Sequence, residues 1–245
     1  MRTVDINVML GPWAPRKLEF DSADRLIEKM DFFKIDEAYV YSSYAVRSNP
    51  IDGNYILAEQ IKGFENRLKQ CWVVLPTWNY ECKTQLSDEL VRNKVHIVRL
   101  MPTDHSFLPD CWVCDSLYEV LSSMNIPMLI NQSDISLNCL HEICTKYPLL
   151  PVIITRCEYI QNRSLYKLME KHPNVYLEVS TYFVYNGIED IAEKFGAKRL
   201  IFGSRMPFQE AAAAKGMVML SDLSNSEKAD ILSRNADRLI NEVAI

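Results

Sequence analysis

Short apolar segments alternate with longer helical stretches along the whole chain, and this alternation restricts the fold more than any other feature. Eight such cycles fit into 245 residues. A strand followed by a helix and another strand forms a βαβ unit, in which the two strands run parallel. The predicted strands, rich in Val, Ile, Leu and Tyr, are Thr3–Met9, Glu37–Tyr41, Gln70–Leu75, Ile97–Met101, Pro127–Asn131, Pro151–Thr155, Val175–Val179 and Leu200–Phe202.

Helical patterns fill the segments between these strands. Apolar residues recur there at intervals of three and four, which is the spacing of one helix face. Two further helices are expected at the C-terminal end of the chain. The helices predicted before them are Ser22–Phe33, Tyr55–Phe64, Thr84–Arg92, Asp115–Ser123, Leu137–Tyr147, Ser164–Lys171 and Ile188–Phe195.

The number of cycles favours a closed barrel. Eight strand and helix pairs in about 250 residues match a (β/α)8 barrel, although an open doubly wound sheet shows the same alternation. No GxGxxG motif follows the first strand, no Walker-type loop occurs, and the chain has only 7 glycines from which to build phosphate-binding loops. We therefore predict one α/β domain over residues 1–245, a (β/α)8 TIM barrel.

The charge balance argues against nucleic acid as a partner. Asp and Glu number 32 against 27 Lys and Arg, and basic residues never cluster beyond two in a row, whereas a nucleic-acid binder needs a basic face. No apolar run approaches the roughly 18 to 20 residues that span a bilayer, and no signal peptide is evident. The 7 cysteines are scattered along the chain, which suits reduced thiols in a reducing compartment better than a disulfide framework. We expect a cytoplasmic protein that binds small molecules or proteins, but no nucleic acid and no membrane.

Four segments carry a family resemblance. The first strand contains Asp5–Trp13, DINVMLGPW, and the last contains Arg199–Phe208, RLIFGSRMPF; Pro173–Ser180 and Ser226–Leu239 lie between and after them. In order and spacing they resemble the amidohydrolase superfamily, in its amidohydrolase-2 or decarboxylase-like branch, with its opening Asp-x-His-x-His-x-Gly and its late Arg-Leu-x-Phe-Gly-Ser-Asp-x-Pro. The resemblance spans essentially the whole chain. It implies a distorted (β/α)8 barrel, a site at the C-terminal ends of the strands, and hydrolase or carbon–carbon lyase activity.

The resemblance fails at the residues that hold metal. Members of the family bind a divalent cation through two strand-1 histidines, a strand-5 histidine and a strand-8 aspartate, and a strand-6 histidine assists the chemistry. Asn and Met bind zinc poorly, and a guanidinium repels a cation. We therefore expect that the metal site is lost and that the protein uses no metal or other cofactor. The five corresponding positions hold Asn7, Met9, Asn131, Arg205 and Arg156.

Arginines stand at three strand ends expected around the opening of the barrel. Arg156 and Arg205 are fixed positive charges, and Arg99 adds a third where many family members carry lysine. Because guanidinium groups pair well with carboxylate or phosphate, we expect a small anionic organic ligand there, with Asn7 and Asn131 beside it. A metal-independent lactone hydrolase branch of the superfamily holds a dicarboxylate through arginines, but it keeps the strand-8 aspartate that is arginine here.

An alternative assigns the arginines to the protein's own acids. Asp5 and Glu178 would then pair with Arg156 and Arg205 and fill an inactive site, as in a non-catalytic scaffold or a regulatory pseudoenzyme. A third interpretation is a metal bound by unrecognised ligands. Barrels that resemble this branch often pair, so a homodimer is one oligomeric state that the resemblance allows.

If catalysis survives, His105 and Asp5 are the predicted proton-transfer residues. His105 follows the fourth predicted strand, on the face where the resemblance places the site, and Asp5 shares one strand face with Asn7 and Met9. The reaction would be metal-independent hydrolysis or decarboxylation of a substrate oriented by arginine. The sequence leaves open whether the protein is an enzyme.

One cysteine motif and a group of residues near the strand ends remain to be assigned. Cys111 and Cys114 have the CxxC spacing of redox pairs, but no second Cys or His pair lies at zinc-binding distance in the sequence, which favours a structural or incidental origin. The alternative is a thiol pair that oxidises under stress. The residues predicted to wall the opening of the barrel are Trp13, Trp78, Tyr182, Tyr44, Arg47 and Asn49.

Overall fold

Parallel strands build the centre of the computed structural model, which describes residues 1–82, 84–158, 160 and 162–245. The strands are β1 Val4–Leu10, β2 Glu37–Ser42, β3 Leu68–Gln70, β4 Trp72–Val73, β5 Val98–Leu100, β6 Met128–Asn131, β7 Val152–Thr155, β8 Val175–Glu178 and β9 Leu200–Ile201. β1 to β3 pair in chain order in one sheet, and β4 to β9 pair in chain order in a second. Each pairing is parallel, as βαβ units require.

The two sheets join into a closed barrel. β3 and β4 are two halves of the third barrel strand, interrupted at Cys71, whose backbone N–H donates to the carbonyl of Val40 at 2.8 Å. On the opposite side, the N–H of Ile6 on β1 donates to the carbonyl of Phe202, directly after β9, at 3.3 Å. Eight strand positions therefore surround one axis, and the predicted (β/α)8 barrel is confirmed.

Helices cover the outside of the barrel, and none in the described part of the chain is long and apolar enough to cross a bilayer. A π-helical segment, Asp230–Arg234, joins the last two helices, and short 3₁₀ turns cover Gln132–Asp134 and Ala197–Arg199. The α-helices are α1 Ala23–Phe33, α2 Ser43–Arg47, α3 Pro50–Gln60, α4 Trp78–Glu81, α5 Leu86–Arg92, α6 Cys111–Ser123, α7 Leu137–Lys146, α8 Asn162–Lys171, α9 Gly187–Phe195, α10 Ala211–Leu220, α11 Asn225–Ala229 and α12 Asn235–Asn241.

Two helices begin four or more residues before their predicted starts. α3 begins at Pro50 rather than at Tyr55, because Asn49 caps it by accepting a 3.1 Å hydrogen bond from the N–H of Asp52 and proline suits the first helical position. α6 begins at Cys111 rather than four residues later. The short helices α2 and α4 were not predicted, since four or five residues carry too little apolar periodicity to reveal them.

Side-chain alternation along the strands separates two apolar layers. On β6, Met128 and Ile130 pack against the helices, whereas Leu129 belongs to the cluster inside the barrel. The same alternation holds on β7, where Ile153 points inward. The inner cluster fills the interior of the barrel, and the buried polar side chains of Asn131, Thr155 and Glu178 stand at the last residues of their strands.

Candidate functional site: the barrel mouth

The inward side chains become polar where the strands end. Arg99 lies in register with the inward-facing Leu129, and Asn131 is the next inward position on β6. Five polar side chains occupy such inward positions, and all five are buried, so each needs a partner to offset the loss of hydration. The set comprises Asn7 on β1, Arg99 on β5, Asn131 on β6, Thr155 on β7 and Glu178 on β8.

A chain of hydrogen bonds joins these buried groups. Oε2 of Glu178 accepts from Nδ2 of Asn7 at 2.9 Å, and Oδ1 of Asn7 accepts from Nη2 of Arg99 at 2.6 Å. Oδ1 of Asn131 accepts from Nη1 of Arg99 at 3.4 Å and from the hydroxyl of Thr155 at 2.9 Å. Asn7 is therefore a neutral link between a buried acid and a buried cation.

A cavity of about 180 Å³ opens onto this chain. Its volume is below the roughly 300 to 1,000 Å³ typical of drug-sized sites and suits a small organic molecule. Among the described residues that line it, Asp104 is the only carboxylate and none is His or Cys. We call the lining residues the barrel mouth: Asn7, Met9, Trp13, Tyr41, Val46, Arg99, Met101, Asp104, Asn131, Arg156, Arg205 and Phe208.

The arginines of the barrel mouth make no ion pair with the described residues. No carboxylate oxygen of the described chain lies within 4.0 Å of a side-chain nitrogen of Arg99, Arg156 or Arg205. The predicted alternative, that Arg156 and Arg205 pair with Asp5 and Glu178, is therefore wrong. Both acids are fully buried and bonded to amide and hydroxyl groups instead.

Arg99 is the most deeply placed of the three cations. Its side chain is almost inaccessible, and its guanidinium carbon lies 4.4 Å from the ring centre of Tyr41. This cation–π contact and the two amide oxygens offset part of the cost of burying the charge. The Nε atom has no hydrogen-bond partner among the described residues. The surroundings thus stabilise the cation without neutralising it.

Arg156 and Arg205 share an uncommon backbone conformation. Their φ angles are +55° and +61°, in the left-handed region that favours glycine. Arg156 follows β7, and Arg205 follows the end of β9 by four residues. Burial lowers the pKa of Arg205, and the positive charge of Arg156 lowers it further. The two side chains therefore bring like charges to one cavity, a costly arrangement that an anion would relieve.

The two buried acids lie beneath the cavity and do not line it. Oδ1 of Asp5 accepts from the N–H groups of Asn7 at 3.0 Å and Ser204 at 2.9 Å. Glu178 accepts from the N–H of Ser180 at 2.6 Å and from its hydroxyl at 2.8 Å. Burial raises the pKa of Asp5 to about 6 and that of Glu178 to about 7, although these hydrogen bonds favour the charged forms. Both carboxyls can therefore change protonation near neutral pH.

His105 lies outside the cavity. The ring is half-buried, and neither ring nitrogen has a hydrogen-bond partner among the described residues. Burial lowers its pKa, while the backbone groups of Ala45 and Val46 on α2 and the charge of Asp104 act in the opposite direction. The adjacent residue Asp104 lines the cavity in its place. The structure thus brings Asn7, Asn131 and the three arginines together, but not His105 or Asp5.

Two residues predicted at the rim of the barrel lie elsewhere, and two residues of the cavity wall were not predicted. Trp78 and Tyr182 were predicted at the rim but are buried in the outer apolar layer. Burial of these large rings among apolar side chains stabilises the fold more than their exposure at the rim. Tyr41 and Phe208 line the cavity but were not predicted. Tyr41 could have been found, because it is the last inward position on β2. Phe208 lies in a loop, where no sequence periodicity indicates which way the side chain points.

The CxxC pair occupies the first turn of α6 rather than a cavity wall. Burial raises the pKa of both thiols, that of Cys114 to about 11, so neither is activated as a thiolate. The thiol of Cys114 donates to the carbonyl of Leu108 at 3.4 Å. These features fit the packing role predicted for the pair.

Solved structures with the same fold cover nearly the whole chain. An uncharacterised TIM-barrel protein from Bordetella bronchiseptica matches with a TM-score of 0.79 and 17% identity over 99% of both chains. A 2,6-dihydroxybenzoate decarboxylase from Rhizobium matches with a TM-score of 0.75 and 13% identity over 98% of both chains. A probable 2-pyrone-4,6-dicarboxylic acid hydrolase from Acinetobacter baumannii, with citric acid bound, matches with a TM-score of 0.71 and 17% identity over 98% of this chain and 100% of that one.

Sequence comparison gives the family. No protein of curated function is detectably similar in sequence. A family model described as Amidohydrolase matches residues 53–241, well over half of the chain. This match agrees with the barrel, with the position of the cavity at the strand ends and with the solved structures of similar fold. The chain belongs to the amidohydrolase family.

Proposed function

We propose that the barrel mouth binds a small organic anion through Arg99, Arg156 and Arg205, without a divalent metal. The observation that carries this proposal is the absence of any carboxylate within 4.0 Å of these three side chains in the described chain, although all three line one cavity. A carboxylate or phosphate in the cavity would supply the missing negative charge.

The amide side chains of the barrel mouth support the proposal. Asn7 and Asn131 direct their oxygens at Arg99 and so hold the guanidinium in one orientation. Thr155 and Glu178 fix the two amides in turn. A cation oriented in advance loses little conformational freedom when a ligand arrives, which favours binding.

The barrel mouth does not fit the metal of the family. The metal-binding positions hold two amides, a thioether and a guanidinium, on Asn7, Asn131, Met9 and Arg205. No group of three His, Cys, Asp or Glu side chains that could hold a metal occurs among the described residues. A divalent cation beside three arginines would be repelled, so loss of the metal site is part of the proposal.

The names of similar proteins support an organic acid as the ligand class. The Acinetobacter structure holds citric acid, and the Rhizobium protein is a decarboxylase of an aromatic acid. We accordingly propose metal-independent hydrolysis or decarboxylation as the reaction class. Neither of the predicted proton-transfer residues, Asp5 and His105, lines the cavity, so each would need to move toward it to exchange a proton with a ligand there. A cytoplasmic location agrees with the seven free thiols.

Titration calorimetry with citrate tests the binding proposal. Arg205→Gln and Arg156→Gln should each weaken binding on the order of tenfold, because a hydrogen bond to a charged group contributes about 1.5 to 3 kcal/mol. Lys62→Gln is the matched control, since it removes one positive charge from the exposed segment between α3 and β3, at the other end of the barrel.

Two results would overturn the proposal. The first is wild-type protein whose melting temperature no dicarboxylate, tricarboxylate or phosphate raises, because a ligand of the native state must stabilise it. The second is an Arg205→Gln variant that binds citrate as tightly as the Lys62→Gln control.

A further inference from the structure

A groove of about 360 Å³ lies next to the cavity and shares Trp13 with it. The groove is formed by the loop after β1 and by α2. Three cationic side chains line it, Arg16, Lys17 and Arg47, together with the ring of Tyr44. Neither the family resemblance nor the proposed function accounts for this groove.

An aromatic pair separates the groove from the cavity. Trp13 and Phe208 contact each other edge to face, with ring centres 5.2 Å apart and planes at 82°. The guanidinium of Arg47 lies 5.3 Å from the ring centre of Trp13, and that of Arg16 lies 5.9 Å from the ring centre of Phe208. The guanidinium of Arg205, which lines the cavity, lies 5.8 Å from the ring centre of Phe208. Cations of both sites thus meet on one aromatic pair.

The groove has an excess of positive charge. Asp21 is its one acidic lining residue, against three cations, and none of the three has a carboxylate oxygen within 4.0 Å in the part of the chain that the structure describes. The whole protein has a net charge of −5, so the groove differs in sign from the molecule around it. A ring face holds a guanidinium by its plane and leaves the N–H groups at its edge free for an anion.

We propose that this groove is a second anion subsite, and that the ligand of the protein is an elongated acid with a negatively charged group at each end and an apolar middle. One end lies among the arginines of the barrel mouth, the middle packs against Trp13 and Phe208, and the other end binds Arg47, the cation held on the ring of Trp13. The proposal rests on the proposed function, because the first end uses the same arginines.

Straight-chain dicarboxylates provide the test, with dissociation constants measured by calorimetry for malonate, glutarate, adipate and suberate. In the wild type, affinity should rise on the order of tenfold once the chain is long enough to reach the groove, which is the contribution of a charge-assisted hydrogen bond at a partly exposed site. Hexanoate and octanoate, with one charge each, should lack this gain.

Variants separate the groove from the barrel mouth. Arg47→Gln should abolish the gain for long diacids and leave malonate affinity unchanged, and Lys62→Gln should change neither. The side chain of Arg47 is exposed, so its loss should not impair folding.

The possible failures are distinguishable. If malonate and citrate bind but chain length has no effect, or if Arg47→Gln retains the gain, the second subsite is refuted and the proposed function stands. If no diacid binds although citrate or phosphate does, the second subsite alone is refuted. If none of these anions binds, both proposals are refuted.

Discussion

Arg99 donates a 2.6 Å hydrogen bond to the side-chain oxygen of Asn7, so a neutral amide faces the most deeply buried cation of the barrel mouth. The other end of the same amide donates to Glu178. One residue of β1 therefore joins the acid beneath the cavity to the cation that lines it. This position is one at which the resemblance to the family places a metal-binding histidine.

Replacing Asn7 should destabilise the protein. Asn7→Ala leaves Nη2 of Arg99 without its partner and removes one of the two hydrogen bonds to Oε2 of Glu178, which keeps the bond from the Ser180 hydroxyl. An unsatisfied buried group costs about 1 to 3 kcal/mol and a lost hydrogen bond about 1 kcal/mol. We expect the free energy of unfolding in urea to fall by about 2 to 4 kcal/mol in total. Met9→Leu, on the same strand and buried, keeps the side-chain volume and should cost less than about 1.5 kcal/mol. Equal losses in the two variants would contradict a special role for the amide.

The protein should lose stability as the pH rises toward neutrality. Burial raises the pKa of Glu178 from 4.5 to about 7, so between these values the folded state binds more protons at this carboxyl than the unfolded state does. Stability from such a group is present at low pH and decreases as the pH rises through the folded pKa.

Comparison of wild type with Glu178→Gln isolates this effect. Between pH 5 and pH 8 the wild type should lose about 2 to 3 kcal/mol relative to the variant, measured by urea unfolding at each pH. The quantity compared is the change in the free energy of unfolding between the two pH values. Hydrogen bonds that the substitution alters equally at every pH therefore cancel. Glu193→Gln, at an exposed position, is the control and should follow the wild type. A constant difference between wild type and Glu178→Gln would refute the titration of this carboxyl.

Two glycines should respond oppositely to alanine. A Cβ atom at Gly203 would lie 2.5 Å from Oε1 of Glu178, so Gly203→Ala must displace the carboxyl and should cost about 1 to 3 kcal/mol, as overpacking does. A Cβ atom at Gly216, inside α10, meets nothing within 4 Å. Gly216→Ala should therefore stabilise the protein by up to about 1 kcal/mol through helix propensity. Thermal unfolding of both variants checks the signs.

Protein purified without a chelator should contain little metal. The side chains at the positions where the resemblance places metal ligands are two amides, a thioether and a guanidinium, so elemental analysis should find well under one equivalent of zinc, manganese or iron. Dialysis against a chelator should change neither the melting temperature nor anion binding. Near-stoichiometric metal that resists dialysis would show that residues outside these positions hold a cation.

The strands were predictable because apolar periodicity determines them directly. Each predicted strand overlaps an observed one, but the break at Cys71 within the third strand was not visible, since backbone pairing changes there without a change in side-chain polarity. The arginines were placed at the correct strand ends because the resemblance to the family assigned Arg156 and Arg205 to positions of its site. Their partners were not predictable, because the choice between a carboxylate and an amide depends on distances across the barrel. Asn7 lies between Arg99 and Glu178, and no local pattern reveals that.

The left-handed backbone at Arg156 and Arg205 lowers the stability of the protein, whereas the arginine side chains at these positions favour ligand binding. Glycine at either position would relieve about 1 kcal/mol of conformational strain and would remove one of two like charges. Selection for a durable barrel alone would thus exchange both arginines for glycine. Relatives that have drifted to glycine at these two positions are the ones in which we expect the cavity to have lost its ligand.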